Sequence, residues 1–256
     1  MRAILQRWRD KGYQNIYGTD IIRRWCAEYR PSHEGPVRIL DVGCGPGRDL
    51  ASIREAIGPS RPVELYGIEC TPELCRRAQE LGVQTVTLDL ECGTLPYPDG
   101  FFDVVTANQV LEHLKNWIWA FHELVRVTRR GGRTLIGVPN MAALHARVQV
   151  LFGRQPSSMK ANGPHVRGFT LHELQRLASE LDGLSVDRVS GTYLYGVPPA
   201  LGLALGVRLP SLSATILLSF TKTAQSVDVL SLLGSDARFE TNYYVGEPYP
   251  RAATVT

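Results

Sequence analysis

The stretch Ile39-Leu40-Asp41-Val42-Gly43-Cys44-Gly45-Pro46-Gly47 decides the fold of this chain. It begins with the apolar run of a buried strand, and a helical pattern starts directly after it. The glycines allow a sharp turn and let a ligand approach the backbone beside the positively polarised start of the next helix. Their spacing, G-x-G-x-G, is one residue shorter than the G-x-G-x-x-G dinucleotide fingerprint. Asp41 would repel a pyrophosphate at this place, so the stretch predicts a turn that binds a cation.

On both sides of this turn, short apolar runs alternate with segments of helical periodicity, which is the pattern of βαβ units around a parallel sheet. We predict strands at 37–42, 63–68, 84–88, 102–107 and 133–138, followed by 184–189 and 215–220. Helices are predicted at 20–29, 49–57, 72–81, 117–128, 141–152 and 171–177, the last opened by a capping box of Thr170 and Glu173. The sequence therefore predicts an α/β fold.

Composition excludes several classes of protein. With 256 residues and a net charge of +3, the chain is too weakly basic to predict a nucleic-acid partner. Its 5 cysteines form no C-x-x-C pair, so they indicate a reducing compartment, with neither a disulfide framework nor a zinc ribbon. We find no secretory leader and no unbroken apolar stretch of about 18 residues. A cytoplasmic protein is expected.

Carboxylates follow three successive predicted strands, at Asp41, Glu69 and Asp89. Because the carboxyl ends of parallel strands meet at the edge where open α/β sheets bind ligands, these acids are expected to lie together. Glu69 can accept hydrogen bonds from both hydroxyls of a ribose, and Asp89 from an adenine amino group. Any one of the acids alone could be a helix cap, but the set predicts a nucleoside site.

These residues resemble the class I S-adenosylmethionine-dependent methyltransferases over about residues 37–140. Residues 39–47 look like the first motif of that family, Glu69 like its ribose-binding acid, and Asp89-Leu90 like its adenine-side position. Further likeness lies in 95–105, in Val110-Leu111-Glu112-His113 and in 124–132. Within the superfamily, the chain is most similar to the ubiquinone-biosynthesis type and the methionine-biosynthesis W family. Residues 138–153 resemble the segment after strand five in the W family, and 165–174 look like a segment shared by many small-molecule and lipid or glycan methyltransferases.

The resemblance implies a three-layer Rossmann-like fold with helices on both faces of a mostly parallel sheet. The sheet would have seven strands in the order 3-2-1-4-5-7-6, with strand 7 antiparallel. It also implies S-adenosyl-L-methionine as the methyl donor, and in-line transfer of the methyl group to a small-molecule, lipid or glycan acceptor. The residues expected to hold the donor are Asp41, Gly43, Cys44, Gly45, Gly47, Glu69, Cys70, Asp89, Leu90, Asn108 and Gln109.

The change of sequence pattern at Val37 and the extent of the resemblance together divide the chain into three parts. Residues 1–36 form an N-terminal helical appendage, in which Tyr13 and Tyr17 either cap the donor or simply pack. Residues 37–222 form the methyltransferase domain, with a donor-binding core at 37–140 and an acceptor side at 141–222. Residues 223–256 form a tail that is expected to be partly disordered, because it has no apolar period after Gly234.

Two histidines are candidate catalytic bases, although a general base is needed only for an acceptor such as an alcohol. His113 follows the fourth strand, and the alternative interpretation is that it packs or caps a helix; His165 lies on a loop that could close over the acceptor. For His145 a surface role is favoured. We interpret the apolar stretch 193–220 as a core strand with a substrate lid, which would suit an apolar acceptor or peripheral membrane contact.

Two other functions stay open at this point. One is a non-catalytic module that binds the donor or regulates a partner on the same fold. The other is a nicotinamide-dependent oxidoreductase, against which the shorter glycine spacing and Asp41 count.

Overall fold

The computed structural model describes residues 17–59, 61–91 and 93–233. Its strands are β1 (Val37–Val42), β2 (Val63–Glu69), β3 (Gln84–Thr87), β4 (Phe102–Asn108), β5 (Thr128–Pro139), β6 (Leu184–Gly191) and β7 (Thr215–Lys222). Its helices are α1 (Thr19–Glu28), α2 (Arg48–Ile57), α3 (Pro72–Glu80), α4 (Trp117–Val127), α5 (Leu144–Leu151), α6 (Leu171–Ser179) and α7 (Pro199–Arg208). Short 3₁₀ turns occupy Leu111–His113, Pro210–Leu212 and Val229–Leu233.

The strands form one sheet in the order β3-β2-β1-β4-β5-β7-β6, which confirms the predicted order. Strands β1 to β5 pair in parallel, whereas β7 is antiparallel to both of its neighbours. Thr215, the first residue of β7, is therefore the register partner of Pro139, the last residue of β5. The carboxyl ends of β1 to β6 and the start of β7 thus lie along one edge.

Alternating strand residues pack against helices on opposite faces of the sheet, as the period of two in a strand requires. One buried cluster contains Ile39 and Leu217 together with side chains of α1 and α2. The other contains their neighbours Leu40 and Leu218 together with side chains of α4 and α6. These two cores confirm the predicted three-layer α/β architecture.

Helix α1 and the segment after β7 both add to these cores. Ile21, Ile22 and Trp25 of α1 are buried beside α2. Val229, in the last 3₁₀ turn, is fully buried against the other face. Tyr13 and the tail after Gly234 lie outside the described residues.

The structure differs from the prediction most in the stretch between β6 and β7, where we predicted no helix. Pro198 is the N-cap of α7 and Pro199 its first residue, where the N–H that proline lacks would have no partner within the helix. Gly206 lets α7 approach the chain after β6, since a Cβ there would lie 2.6 Å from the Thr192 carbonyl oxygen. None of the described helices has the length and apolarity needed to cross a membrane.

Candidate functional site

The glycine-rich turn is fixed to the end of β2 by backbone hydrogen bonds. The N–H groups of Gly43 and Cys44 both donate to the Ile68 carbonyl oxygen, at 2.8 and 3.0 Å. Gly45 has a φ of +52°, and no atom lies within 4 Å of the position its Cβ would take. Gly47 has a φ of +76° and packs so closely on α3 that a Cβ would lie 2.9 Å from Cβ of Ala78. The turn is therefore open at Gly45 and tightly packed at Gly47.

Glu69, at the end of β2, joins the turn to the start of α3. One carboxylate oxygen accepts a hydrogen bond from the Gly45 N–H, and the other from the Thr71 N–H, both at 3.0 Å. Each oxygen keeps lone-pair capacity for a further donor. Cys70 is exposed beside it, with Sγ 3.4 Å from a Glu69 oxygen. The carboxylate is thus oriented at the edge where a nucleoside was predicted.

Asp41, at the end of β1, is 7% exposed and accepts a 2.6 Å hydrogen bond from the Thr106 hydroxyl. Burial, reinforced by the charges of Asp49 and Glu69, raises the pKa of Asp41 to about 7, although the Thr106 hydrogen bond opposes the shift. Burial also raises the pKa of Asp49, which accepts a 3.4 Å hydrogen bond from Thr19. These acids give the turn a negative potential that suits a cation.

Asp89 and Leu90 follow β3 and differ in their surroundings. Asp89 is exposed, and its carboxylate accepts a 3.0 Å hydrogen bond from the Glu91 N–H. Leu90 is buried in the core cluster that contains α4 and α6. Only the Asp89 side chain is open to solvent and hence to a ligand.

Asn108 and Gln109 end β4 in an unusual conformation. Gln109 has a φ of 59°, the only positive value for a non-glycine residue within the described ranges. Such strain is found where the surrounding structure enforces it, commonly at functional sites. Oδ1 of Asn108 and Nε2 of Gln109 are buried without a hydrogen-bond partner. Both groups are therefore available to a ligand.

A cavity of about 480 Å³ opens at this edge of the sheet. It brings the predicted donor residues Asn108 and Gln109 together with both predicted catalytic histidines, whereas Asp41, Glu69 and Asp89 are not among its lining residues. The lining comes from both the N-terminal and the C-terminal halves of the domain, and includes Tyr17, Asp49, Asn108, Gln109, Glu112, His113, Asn140, His145, His165, Tyr195 and Thr215.

His113 and His165 lie side by side in the cavity, with ring centroids 4.8 Å apart and ring planes at 77°. Nδ1 of His113 is 3.3 Å from the Pro164 carbonyl oxygen, and Nδ1 of His165 is 2.7 Å from that of Ser158. Because a carbonyl oxygen can only accept, we assign the proton of each ring to Nδ1, which leaves both Nε2 atoms with free lone pairs. Burial lowers the pKa of His113, which favours its neutral form.

Glu112 is 1% exposed, and neither of its carboxylate oxygens has a hydrogen-bond partner. Burial raises the pKa of this carboxyl to about 8. Its backbone carbonyl oxygen accepts hydrogen bonds from the N–H groups of Val166 and Arg167, at 2.9 and 3.1 Å. These bonds tie the loop that carries His165 to the turn that carries His113.

His145 departs from the surface role favoured from the sequence. Its Nε2 is 3.2 Å from the Ser157 hydroxyl, its ring meets that of Tyr195 edge-on at 4.8 Å, and it lines the cavity. It lies near the start of α5, which begins at Leu144, shortly after β5 ends at Pro139. Burial lowers the pKa of His145.

Sequence reasoning missed several residues that shape the site. Thr106 is the register partner of Asp41 across two parallel strands, a pairing that no local pattern reveals. Asn140 is 1% exposed, and its side chain connects two segments of the acceptor side by hydrogen bonds. Its amide N–H donates to the carbonyl oxygens of Ser211 and Ser213, and its Oδ1 accepts from the Ala142 N–H. The signal in the sequence that could have indicated Asn140 was its position just after a predicted strand.

Comparison with known proteins identifies the domain. Residues 40–136 match a family profile described as a methyltransferase domain. An uncharacterized methyltransferase of Schizosaccharomyces pombe is 39% identical over 106 residues, which are 37% of this chain and 37% of that protein. The demethylmenaquinone methyltransferase of Thermus thermophilus is 32% identical over 124 residues, 47% of this chain and 55% of that protein. The chain thus matches about a third to a half of the length of these two relatives.

Solved structures share the fold at low sequence identity. A chain solved in a complex with the Trm112 methyltransferase activator of Haloferax volcanii has a TM-score of 0.57 and 17% identity, covering 84% of this chain and 93% of that one. The [4+2]-cyclase SpnF has a TM-score of 0.54 and 21% identity, covering 79% and 81%. Together with the sequence matches, these likenesses lead to one conclusion. Residues 40–136 match the methyltransferase-domain family, and the chain has the fold of solved S-adenosylmethionine-dependent methyltransferases.

Proposed function

We propose that this protein transfers the methyl group of S-adenosylmethionine to an apolar small molecule or lipid in the cavity above β4 and β5. The observation that supports this most directly is that Asn108 and Gln109 line the same cavity as His113, His145 and His165. A donor held at the glycine-rich turn would meet an acceptor at the end of β4.

The residues present fit this donor. The open face of Gly45 leaves room for a ligand against the backbone, and the buried acid Asp41 offsets a positive charge. Glu69 would bind the ribose hydroxyls and Asp89 the adenine side, while Asn108 and Gln109 offer unpartnered polar atoms. When bound, S-adenosylmethionine supplies a methyl group on a positively charged sulfur that is open to in-line displacement.

The contribution of the chain itself is positioning, exclusion of water and proton transfer. The strained end of β4 would hold the acceptor close to the donor, which accounts for much of the rate of such transfers. Tyr195 and the backbone after β5 would shield the site from water. For an acceptor with a hydroxyl group, the free Nε2 lone pair of His113 or His165 would take the proton.

The surface around the cavity supports an acceptor from an anionic lipid surface. Residues 141–172 contain 4 basic and no acidic residues, and 188–227 contain no acidic residue. Leu151 and Phe152 at the end of α5 are 79% and 75% exposed. On α7, within the stretch 193–220 predicted to contact a membrane, Leu201 and Val207 are also exposed. Apolar tips among basic side chains suit the interface of a membrane with anionic headgroups.

Donor binding and turnover are tested first. We expect S-adenosylmethionine, and not NAD, to bind in calorimetric titrations, and we expect labelled donor to methylate a component of a lipid extract. Glu69→Ala should abolish labelling, while Arg176→Ala on the outer face of α6 should retain it. Binding of NAD without S-adenosylmethionine would overturn the proposal.

Membrane contact is tested by sedimentation with vesicles. The protein should sediment with vesicles that contain phosphatidylserine and not with phosphatidylcholine alone, and Leu151→Ser with Phe152→Ser should remove the binding. Equal binding of the double variant would contradict the assigned surface.

A non-catalytic module remains the second candidate, favoured by one observation. The similar chain SpnF is described as a [4+2]-cyclase, so this fold does not by itself impose methyl transfer. Tight donor binding without any labelled product from the extract would favour this second candidate.

A further inference from the structure

The side chains of Glu112, His113 and His165 converge in the cavity. One carboxylate oxygen of Glu112 and one ring nitrogen of each histidine all lie within 4.8 Å of one another. Glu112 Oε1 is 3.9 Å from His113 Nε2, which is too far for a hydrogen bond. Two imidazole nitrogens and one carboxylate oxygen are a typical ligand set for zinc and similar divalent ions.

The buried carboxylate is the second, independent observation that points to a ligand. Glu112 is 1% exposed, and both of its oxygens lack a hydrogen-bond partner. A buried carboxylate without a partner is costly, whereas a cation between it and the two histidines would satisfy it.

The histidines also have the outer contacts of metal ligands. A histidine that binds a metal usually donates its other ring N–H to a carbonyl or carboxylate oxygen, which fixes the ring and its tautomer. His113 and His165 both make this contact through Nδ1, with the carbonyl oxygens of Pro164 and Ser158. The two Nε2 lone pairs are therefore the ones left for an ion. His145 has no place in this set, since its Nε2 contacts Ser157.

We propose that Glu112, His113 and His165 form a binding site for a divalent cation of the zinc class, with an open coordination position toward the cavity. Bonds of roughly 2.0–2.2 Å in a tetrahedral site bring ligand atoms to about 3.4 Å from one another. The ligand atoms lie within 4.8 Å of one another, so the side chains would have to move together by about 1.4 Å at most to hold the ion.

The open position defines a class of acceptor. A cation there acts as a Lewis acid, so it favours an acceptor that presents a hydroxyl or carboxylate oxygen, and it makes a hydroxyl proton easier to lose to solvent. With the ion bound, the histidines hold it, and the proton that His113 or His165 would take in the ion-free site goes to solvent instead. This catalytic use rests on the proposed function, whereas binding of the cation does not.

The test is a calorimetric titration of the chelator-treated protein with Zn²⁺ alone, without donor. We expect 1:1 binding that Glu112→Gln and His165→Ala each weaken by about 100-fold or more. Loss of an outer-shell partner typically costs about 10–100-fold, and these variants change direct ligands. His145→Ala, a histidine of the same cavity outside the cluster, is the matched control and should bind as the wild type does. Visible absorption of bound Co²⁺ should change in the two ligand variants and not in the control.

Several outcomes would overturn the site. One is a wild-type affinity for Zn²⁺ no higher than that of His165→Ala. Another is a loss of Zn²⁺ affinity in His145→Ala equal to the loss in the ligand variants. Circular dichroism melts check the fold of each variant, and His165→Ala, at a half-buried loop position, provides an answer if Glu112→Gln does not fold. A separate donor titration in the presence of chelator distinguishes failure of the metal site from failure of the proposed function.

Discussion

The affinity for S-adenosylmethionine should rise with pH because Asp41 must ionise to face a cation. Burial raises the pKa of Asp41 to about 7, so without a ligand the protonated form is favoured below that pH. At pH 6 about a tenth of the protein carries the charge, and at pH 8 about nine tenths. If the donor binds the ionised form, its affinity rises about tenfold between these values, or about 1.4 kcal/mol.

The assay is calorimetry at pH 6, 7 and 8, repeated in buffers with different ionisation enthalpies. At pH 6 binding should release nearly one proton, and at pH 8 almost none. Asp41→Asn should bind weakly at every pH and without a slope. Because the pKa of Glu112 is raised to about 8, Glu112→Gln is measured in parallel and should keep the slope of the wild type.

Two results would refute this reasoning. One is a wild-type affinity that does not change between pH 6 and 8. The other is an Asp41→Asn variant that retains the pH dependence, which would place the titrating group elsewhere.

Three further predictions concern stability and the turn. The raised pKa of Asp41 stabilises the ligand-free fold at low pH, and this stabilisation is lost as pH rises toward about 7. At pH 8, Asp41→Asn should therefore unfold at a higher temperature than the wild type, with a free energy of unfolding that is larger by a few kcal/mol. This difference in free energy should shrink toward pH 4, and a difference that does not change with pH would contradict the assignment. Glu69→Ala removes two hydrogen bonds to the backbone and should lower the free energy of unfolding in urea by about 3 kcal/mol or more. Asp89→Ala, on the surface, should lower it by less than about 1 kcal/mol. Equal losses would argue that Glu69 does not link the glycine-rich turn to α3. Gly47→Ala should destabilise the fold by about 1–3 kcal/mol more than Gly131→Ala. Both glycines have a φ near +77°, but only Gly47 packs against Ala78, so only there would the new methyl group clash. Equal unfolding midpoints for the two variants would show that α3 can shift away.

The sequence predicted the sheet and its turn because both depend on local patterns. The six residues Val37–Val42, four of them apolar, form a strand buried along most of its length, and the glycines after it have the positive φ values that favour glycine. Helices α2, α3 and α4 begin and end within a residue of the predicted limits, since their apolar residues recur at helical spacing.

The acceptor side could not be predicted in the same way. Helix α7 is rich in leucine, alanine and glycine on all sides, so it has no polar face to set a period. The Thr106–Asp41 hydrogen bond joins residues 65 positions apart, and it depends on strand register. His145 enters the cavity because of how α5 is oriented after β5, which no spacing in the sequence encodes.

The reversed direction of β7 has a consequence for how such proteins diversify. Because β7 starts where β5 and β6 end, the connections 140–170 and 192–214 both emerge beside the cavity, and neither contains a strand of the sheet. An insertion or exchange in either connection would reshape the acceptor wall while leaving the glycine-rich turn and its acids untouched. Selection can therefore alter the substrate range by lengthening or replacing two surface segments, with the donor half inherited unchanged.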